Sequence, residues 1–233
     1  MPRESYQTQL ETLQENVLYM SEVVLERLRM GLDALGRKDE DLAREVIEGD
    51  AEVNELYLEL EKSCVDLLAL QQPVAGDLRF VAATFKIVTD LERIADLATN
   101  LGDYSLDAHQ DVYPEVDIQG IGDDVAGMVE DAMDAYAAED ADACFAIAGY
   151  DDEIDRRCTE ASEVVVRDLI ETEIGSDGGA GIAPDTEPEI EALMDDVSRL
   201  LLTIRDLERV GDHAVNIAAR TLYMVENDDE LIY

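Results

Sequence analysis

The sequence predicts an all-α protein made of two tandem antiparallel three-helix bundles. Three observations carry that expectation. Apolar residues recur at steps of three and four along nearly all of the 233 residues, the spacing that lines one face of a helix. No alternating strand pattern of useful length interrupts them. The segment DLERIADLATN (90–100) returns as DLERVGDHAVN (206–216), identical at seven of eleven positions with an offset of 116, the mark of an internal duplication.

The elements follow in order. Leu10, Leu13, Val17, Met20, Val24 and Leu28 draw one stripe down a first helix. GRKDED (36–41) reads as a C-capping Gly36 followed by an N-capping Asp39, residues suited to those positions. A second helix spans 39–70 through Val46, Val53, Leu56, Leu60, Cys64 and Leu67. QQPVAGD (71–77) then supplies Pro and Gly punctuation and Asp77 as the next cap. A third helix spans 77–106 through Val81, Phe85, Val88, Leu91 and Ala95. After a break at DVYPEVD (111–117), helical periodicity resumes over 118–138, 140–174 and 188–227. The Gly-rich link at 175–187 is read as an exposed loop.

The repeats place the division at 1–112 and 113–233, one bundle each. DAEVN (50–54) matches DDEID (151–155) in character with an offset of 101. The two offsets differ by 15 residues, which the Gly-rich link supplies. Bundles packed end to end or side by side are the simplest architecture for such a chain.

Composition excludes several functions. There are 57 acidic against 17 basic residues, a formal charge of −40, whereas nucleic-acid binding needs cations to neutralise phosphates. An anionic membrane surface repels such a chain too, and no apolar run approaches the 18 residues of a membrane span. The amino terminus has no apolar h-region, which points to a cytoplasmic protein. Hydrophobic residues make up 47%, enough for a core. Only three of the 17 basic residues are lysines (Lys38, Lys62, Lys86). Low lysine with high Asp and Glu resembles the proteins of salt-in halophiles, where a Debye length of roughly 3 Å screens self-repulsion. Cys64, Cys144 and Cys158 form no CxxC pair and read as buried free thiols.

Candidate chemistry lies in the repeated segment. Glu92 and Asp96 stand four apart, as do Glu208 and Asp212, with Asn100 and Asn216 one turn further on. Each row projects from the flank of the core stripe and presents hard oxygen ligands. Asp50 and Asn54, and their counterparts Asp151 and Asp155, repeat the spacing on the preceding helices. Antiparallel packing would bring them towards the first set. Such donors suit a divalent or trivalent metal ion without choosing among Fe, Zn, Mn and Mg. Two readings stay open on spacing alone, metal binding and a solvated helix face kept by duplication. Neither His109 nor His213 has the Glu three residues before it that a di-iron bundle uses. No P-loop, dinucleotide fingerprint or catalytic triad spacing occurs, so an enzyme is not expected.

The run LLALQQPVAGDLRF (67–80), with DLERIADLATN and the later DLERVGDHAVNIA (206–218), resembles the PhoU family along the whole chain. That resemblance implies two tandem three-helix bundles, with the family's acidic metal motif falling on Glu92/Asp96 and Glu208/Asp212. It also implies a cytoplasmic, non-enzymatic protein, often a homodimer. Its expected partners are the cytoplasmic subunits of a phosphate ABC transporter, whose uptake it restrains, and a sensor kinase. The alternative is a signalling or transcriptional adaptor acting through protein partners without a transporter. Ala95 stands where the second copy has Gly211, and the long Gly-rich link is a second departure. With the lysine-poor charge, a halophilic archaeon is the expected source.

Overall fold

Helical periodicity becomes six helices in the computed structural model, which describes residues 3–70, 74–107, 116–175 and 187–232. They are α1 (Arg3–Arg37), α2 (Glu40–Leu70), α3 (Ala75–Leu106), α4 (Ile118–Ala138), α5 (Ala141–Gly175) and α6 (Glu187–Glu226). No strand occurs among the described residues. The proposed division between 112 and 113 lies outside the described residues, as does nearly all of the 175–187 link.

The helix junctions repeat with the sequence. Asp39 caps α2 as expected, its Oδ1 accepting from the amides of Asp41 and Leu42 at 3.1 Å each. Its counterpart 101 residues on, Asp140, caps α5 by accepting from the Ala143 amide at 3.1 Å. The residue before each cap, Lys38 and Glu139, takes the left-handed turn at φ 54°. Gly36 is therefore not the C-cap. Helix α1 runs through it, and its missing side chain serves packing instead: a Cβ there would stand 2.8 Å from Gln119 Nε2. Asp77 is not an N-cap either. Val74 occupies that position without a side-chain bond, and Asp77 lies in the first turn of α3, where a negative charge favours the helix dipole. Asp117 closes the 111–117 break by accepting from the Gly120 amide at 3.0 Å.

The bundles lie side by side. Within each, neighbouring helices run antiparallel, while α3 packs against α6 and α1 against α4 across the repeat boundary. Gln119 of α4 donates to the Leu32 carbonyl of α1 at 3.0 Å, and Arg29 pairs with Glu130 nearby. Tyr136 of α4 reaches into the first repeat, sharing a 2.9 Å hydrogen bond with Thr84 and stacking on Phe80 at 6.3 Å. Buried residues from all six helices consequently form one continuous core. Cys64, Cys144 and Cys158 are free and buried within it. Burial pushes their thiols up to about 12, 11 and 12, which leaves little reactive thiolate.

Close helix approach depends on one glycine in particular. A Cβ at Gly31 of α1 would stand 2.9 Å from the Ala98 carbonyl oxygen of α3 and 3.3 Å from Leu101 Cβ. The backbone there has no rotamer by which to yield. Gly31→Ala should thus destabilise by about 1–2 kcal/mol, overpacking outweighing the gain in helix propensity. Urea unfolding checks this, and a variant more stable than wild type would contradict such tight packing.

Candidate metal centre

The candidate carboxylates gather in two places related by the internal repeat. Val88, Leu91 and Ala95 are buried on the core side of α3, which leaves Glu92 half-buried and Asp96 exposed at its flank. Asp50 and Asn54 of α2 face them. Asn54 donates its amide to Asp50 Oδ2 at 2.7 Å. Burial and then Asp96 raise Glu92, with Asp50 adding and Arg93 and His213 opposing. Asp96 is raised by burial and by Asp50, against Arg93 and Arg209.

The second place joins Asp151 and Asp155 of α5 to Glu208 and Asp212 of α6. Glu208 is again half-buried and Asp212 exposed. Burial, followed by the Asp155, Asp212, Asp152 and Glu208 carboxylates, pushes Asp151 up to about 6. Asp155 and Glu208 are raised by burial and by neighbouring carboxylates. Asp151 Oδ1 is buried with no hydrogen-bond partner. It leans on Gly211, where a Cβ would stand 3.1 Å away.

These features suit a hard cation. A buried, unpartnered carboxylate oxygen costs stability, like-charged neighbours raise one another, and a bound cation relieves both. Asp50, Glu92 and Asp96 would hold it in the first repeat, and Asp151, Asp155, Glu208 and Asp212 in the second. As they stand, no three His, Cys, Asp or Glu side chains among the described residues converge on one point. Closing either cluster therefore requires side-chain rotation, which the exposed Asp96 and Asp212 allow.

Asn100 and Asn216 sit elsewhere, in the seam between α3 and α6. Asn100 donates to Asp206 Oδ2 at 3.0 Å, and the Tyr104 hydroxyl donates to the same oxygen at 2.9 Å. In the mirror arrangement, His213 donates from Nδ1 to Asp90 Oδ1 at 2.9 Å, with Asn216 Nδ2 3.5 Å away. The first Asp of each repeated segment thus pairs with the last Asn of the other copy. Asp206 has a fully buried side chain and also meets Arg205 and Arg209 at 3.3 Å. Burial and Asp206 push Tyr104 up to about 12. Each asparagine thus turns its Nδ2 towards a carboxylate of the other copy, closely for Asn100 and at 3.5 Å for Asn216. His213, considered above only for a di-iron motif, is a seam residue. Sequence reasoning missed Asp90 and Asp206, although their recurrence ten residues before Asn100 and Asn216 was a usable signal.

Comparison with known proteins now bears on this geometry. Residues 17–105 and 118–221 each match the family described as the PhoU domain. The chain is 33% identical over 232 residues to a Pseudomonas putida protein, covering 97% of this chain and 82% of that one. The chain belongs to the PhoU family. That PhoU relative is named a phosphate-specific transport system accessory protein PhoU homolog. The Escherichia coli PhoU, of the same accessory designation, is 29% identical over 228 residues, 96% of this chain and 86% of that one. The crystal structure of PhoU from Pseudomonas aeruginosa superposes with a TM-score of 0.83 at 31% identity, covering 96% of this chain and 100% of that one. A Streptococcus pneumoniae PhoU, titled a phosphate transport system regulatory protein, gives 0.81 at 25% identity over 96% and 98%. Tandem PhoU bundles are therefore the fold of this chain. Among its described residues no helix is long and apolar enough to cross a membrane.

Proposed function

We propose that this chain is a metal-binding accessory protein of phosphate transport. It acts in the cytoplasm as a homodimer, without catalysis, and restrains a high-affinity phosphate ABC transporter by docking on its cytoplasmic subunits. A sensor kinase is its second partner. The observation that carries the metal part is the duplicated cluster of raised, mutually repelling carboxylates, with Asp151 Oδ1 left unpartnered beside Gly211. The transport part is supported by the accessory designations of the relatives. Apolar side chains stand open at the tip of each bundle, Leu68, Val74 and Leu78 in one and Ile170, Ile190 and Met194 in the other, which suits docking on protein. A bound cation would supply charge neutralisation and a bridge between neighbouring helices.

The salt-in reading of the −40 charge stays part of this proposal. It rests on composition alone, since the relatives named here are bacterial and lend no support to an archaeal source.

Elemental analysis of protein purified without chelator tests the metal assignment. Wild type should carry stoichiometric metal, and the Glu92→Ala/Asp96→Ala/Glu208→Ala/Asp212→Ala variant next to none. Equal metal in both would refute it. Deletion in the host should raise phosphate uptake during phosphate-replete growth. Unchanged uptake, with a regulatory partner recovered by pull-down, would favour an adaptor working without a transporter.

A further inference from the structure

We infer that the two bundle tips form one bivalent docking surface for a two-fold symmetric protein partner. Val65, Val74 and Leu78 on one tip, and Val166, Ile190 and Met194 on the other, each seat one subunit of it through an apolar contact ringed by Lys and Arg. This rests on the docking reading above, in which that partner is the paired cytoplasmic subunits of the transporter.

The two patches correspond residue by residue. The offsets of the internal repeat, 101 between α2 and α5 and 116 between α3 and α6, carry Val65 onto Val166, Val74 onto Ile190 and Leu78 onto Met194. All six lie between 43% and 59% exposed. Around them the copies differ: Asp66 corresponds to Arg167, Arg79 to Asp195, and Leu58, also exposed, to Thr159. Exposed positions without a contact to make would have diverged like these neighbours. Apolar surface kept in register in both copies marks an interaction site instead.

The seam fixes how the tips are disposed. Asp90 meets His213, and ten residues on Asn100 meets Asp206, so α3 and α6 run antiparallel. Asp90 takes Asn216 of the other copy while Asp206 takes Asn100, an exchange of partners that marks a two-fold relation. The tips therefore lie at opposite ends of the seam. Leu78 precedes Asn100 by 22 residues, and Met194 precedes Asp206 by 12. At 1.5 Å per residue the patches stand about 50 Å apart. A single partner helix cannot make the same contacts at both, whereas two identical subunits about a common axis can.

Charge selects among the occupants. The segments bearing the patches, 58–69, 74–82, 159–170 and 190–199, hold ten acidic and four basic residues. A second copy would set like charge against like, and an anionic membrane would do the same. Cations around an apolar centre complement the tips and match the usual anatomy of a protein interface, with an apolar middle and a polar rim.

The test is binding of the full chain to the host's purified phosphate transporter, in detergent with its cytoplasmic subunits attached, followed by biolayer interferometry. Val65→Thr/Leu78→Gln and Val166→Thr/Met194→Gln alter exposed side chains at nearly constant volume, so urea unfolding should stay as in wild type. Each pair should weaken binding about ten-fold or more, and all four changes together far more than either pair, because the two contacts are linked. One chain should bind per transporter. Glu163→Lys/Asp195→Lys should weaken binding as well. Wild-type affinity in both tip variants, an effect confined to one tip, two chains per transporter, or tighter binding by the lysine variant would overturn the inference and leave transporter docking intact. A shift from dimer to monomer in sedimentation of the tip variants would assign the tips to a second copy and overturn it too. No binding of wild type to the transporter would overturn the docking reading and this inference together.

Discussion

Asp206→Ala should cost about 3 kcal/mol of unfolding free energy, which in a chain of this size lowers the midpoint by roughly 6–12 °C. The reason lies in what the substitution leaves behind. Asp206 is the buried acceptor of Asn100 and Tyr104, and Arg205 and Arg209 lie beside it. Its removal strands two donors in the α3–α6 seam, and the penalty of unmet buried groups exceeds the modest net value of the bonds themselves. The mirror change, Asp90→Ala, should cost less, about 1 kcal/mol. Asp90 is 14% exposed and has one good partner, His213, so water can replace what is lost. Parallel urea unfolding of both variants measures the difference. Equal costs, or a loss below about 1 kcal/mol for Asp206→Ala, would show that the seam contributes little to holding the repeats together.

Without metal, stability should fall as pH rises from about 4 to about 7, and Mn²⁺ should oppose that fall. Asp151 is raised to about 6 in the folded chain, above the unfolded value of about 3.9. Between those values the folded state keeps a proton that the unfolded state has released. The stabilisation is therefore fully present below the unfolded value and is lost as pH rises through the folded one. Glu92, Asp96, Asp155 and Glu208 are raised as well and act in the same direction. A cation binds the deprotonated set, so its stabilisation grows as those protons leave. At a hundred times its Kd, Mn²⁺ should add about 2.7 kcal/mol, which corresponds to some 5–10 °C. Thermal melts with chelator and with Mn²⁺, at both ends of the range, provide the measurement. Parallel pH slopes in the two conditions would contradict coupling between these carboxylates and an ion.

Much of the candidate site was legible because helical spacing is local information. Residues four apart share a face in any α-helix, so placing Glu92 with Asp96, and Glu208 with Asp212, required only the period. Recurrence supplied the rest, since a chain with 57 acidic residues offers many such pairs by chance. The same reasoning did not show that Asn100 and Asn216 reach across the seam. Each lies in the correct row for a ligand, yet its amide answers a carboxylate more than a hundred positions away. Gly36 and Asp77 failed for a related reason. Each has the residue type that favours a cap, but Gly36 is held within α1 beside Gln119 and α3 starts at Ala75.

The sequence by itself therefore determined the six helices, their duplication and the two acidic rows, because periodicity and identity are properties of short stretches of chain. The capping aspartates Asp39 and Asp140 belong to the same class, since each bonds within three residues of itself. Only the tertiary structure decided that the bundles lie side by side, that Asp90 and Asp206 tie α3 to α6, and that His213 reaches Asp90 and Arg209 acts on Asp96 in the opposite repeat. Those outcomes depend on which helix faces meet. A duplicated sequence repeats its local pattern, whereas burial and charge act through space and across the seam between the copies.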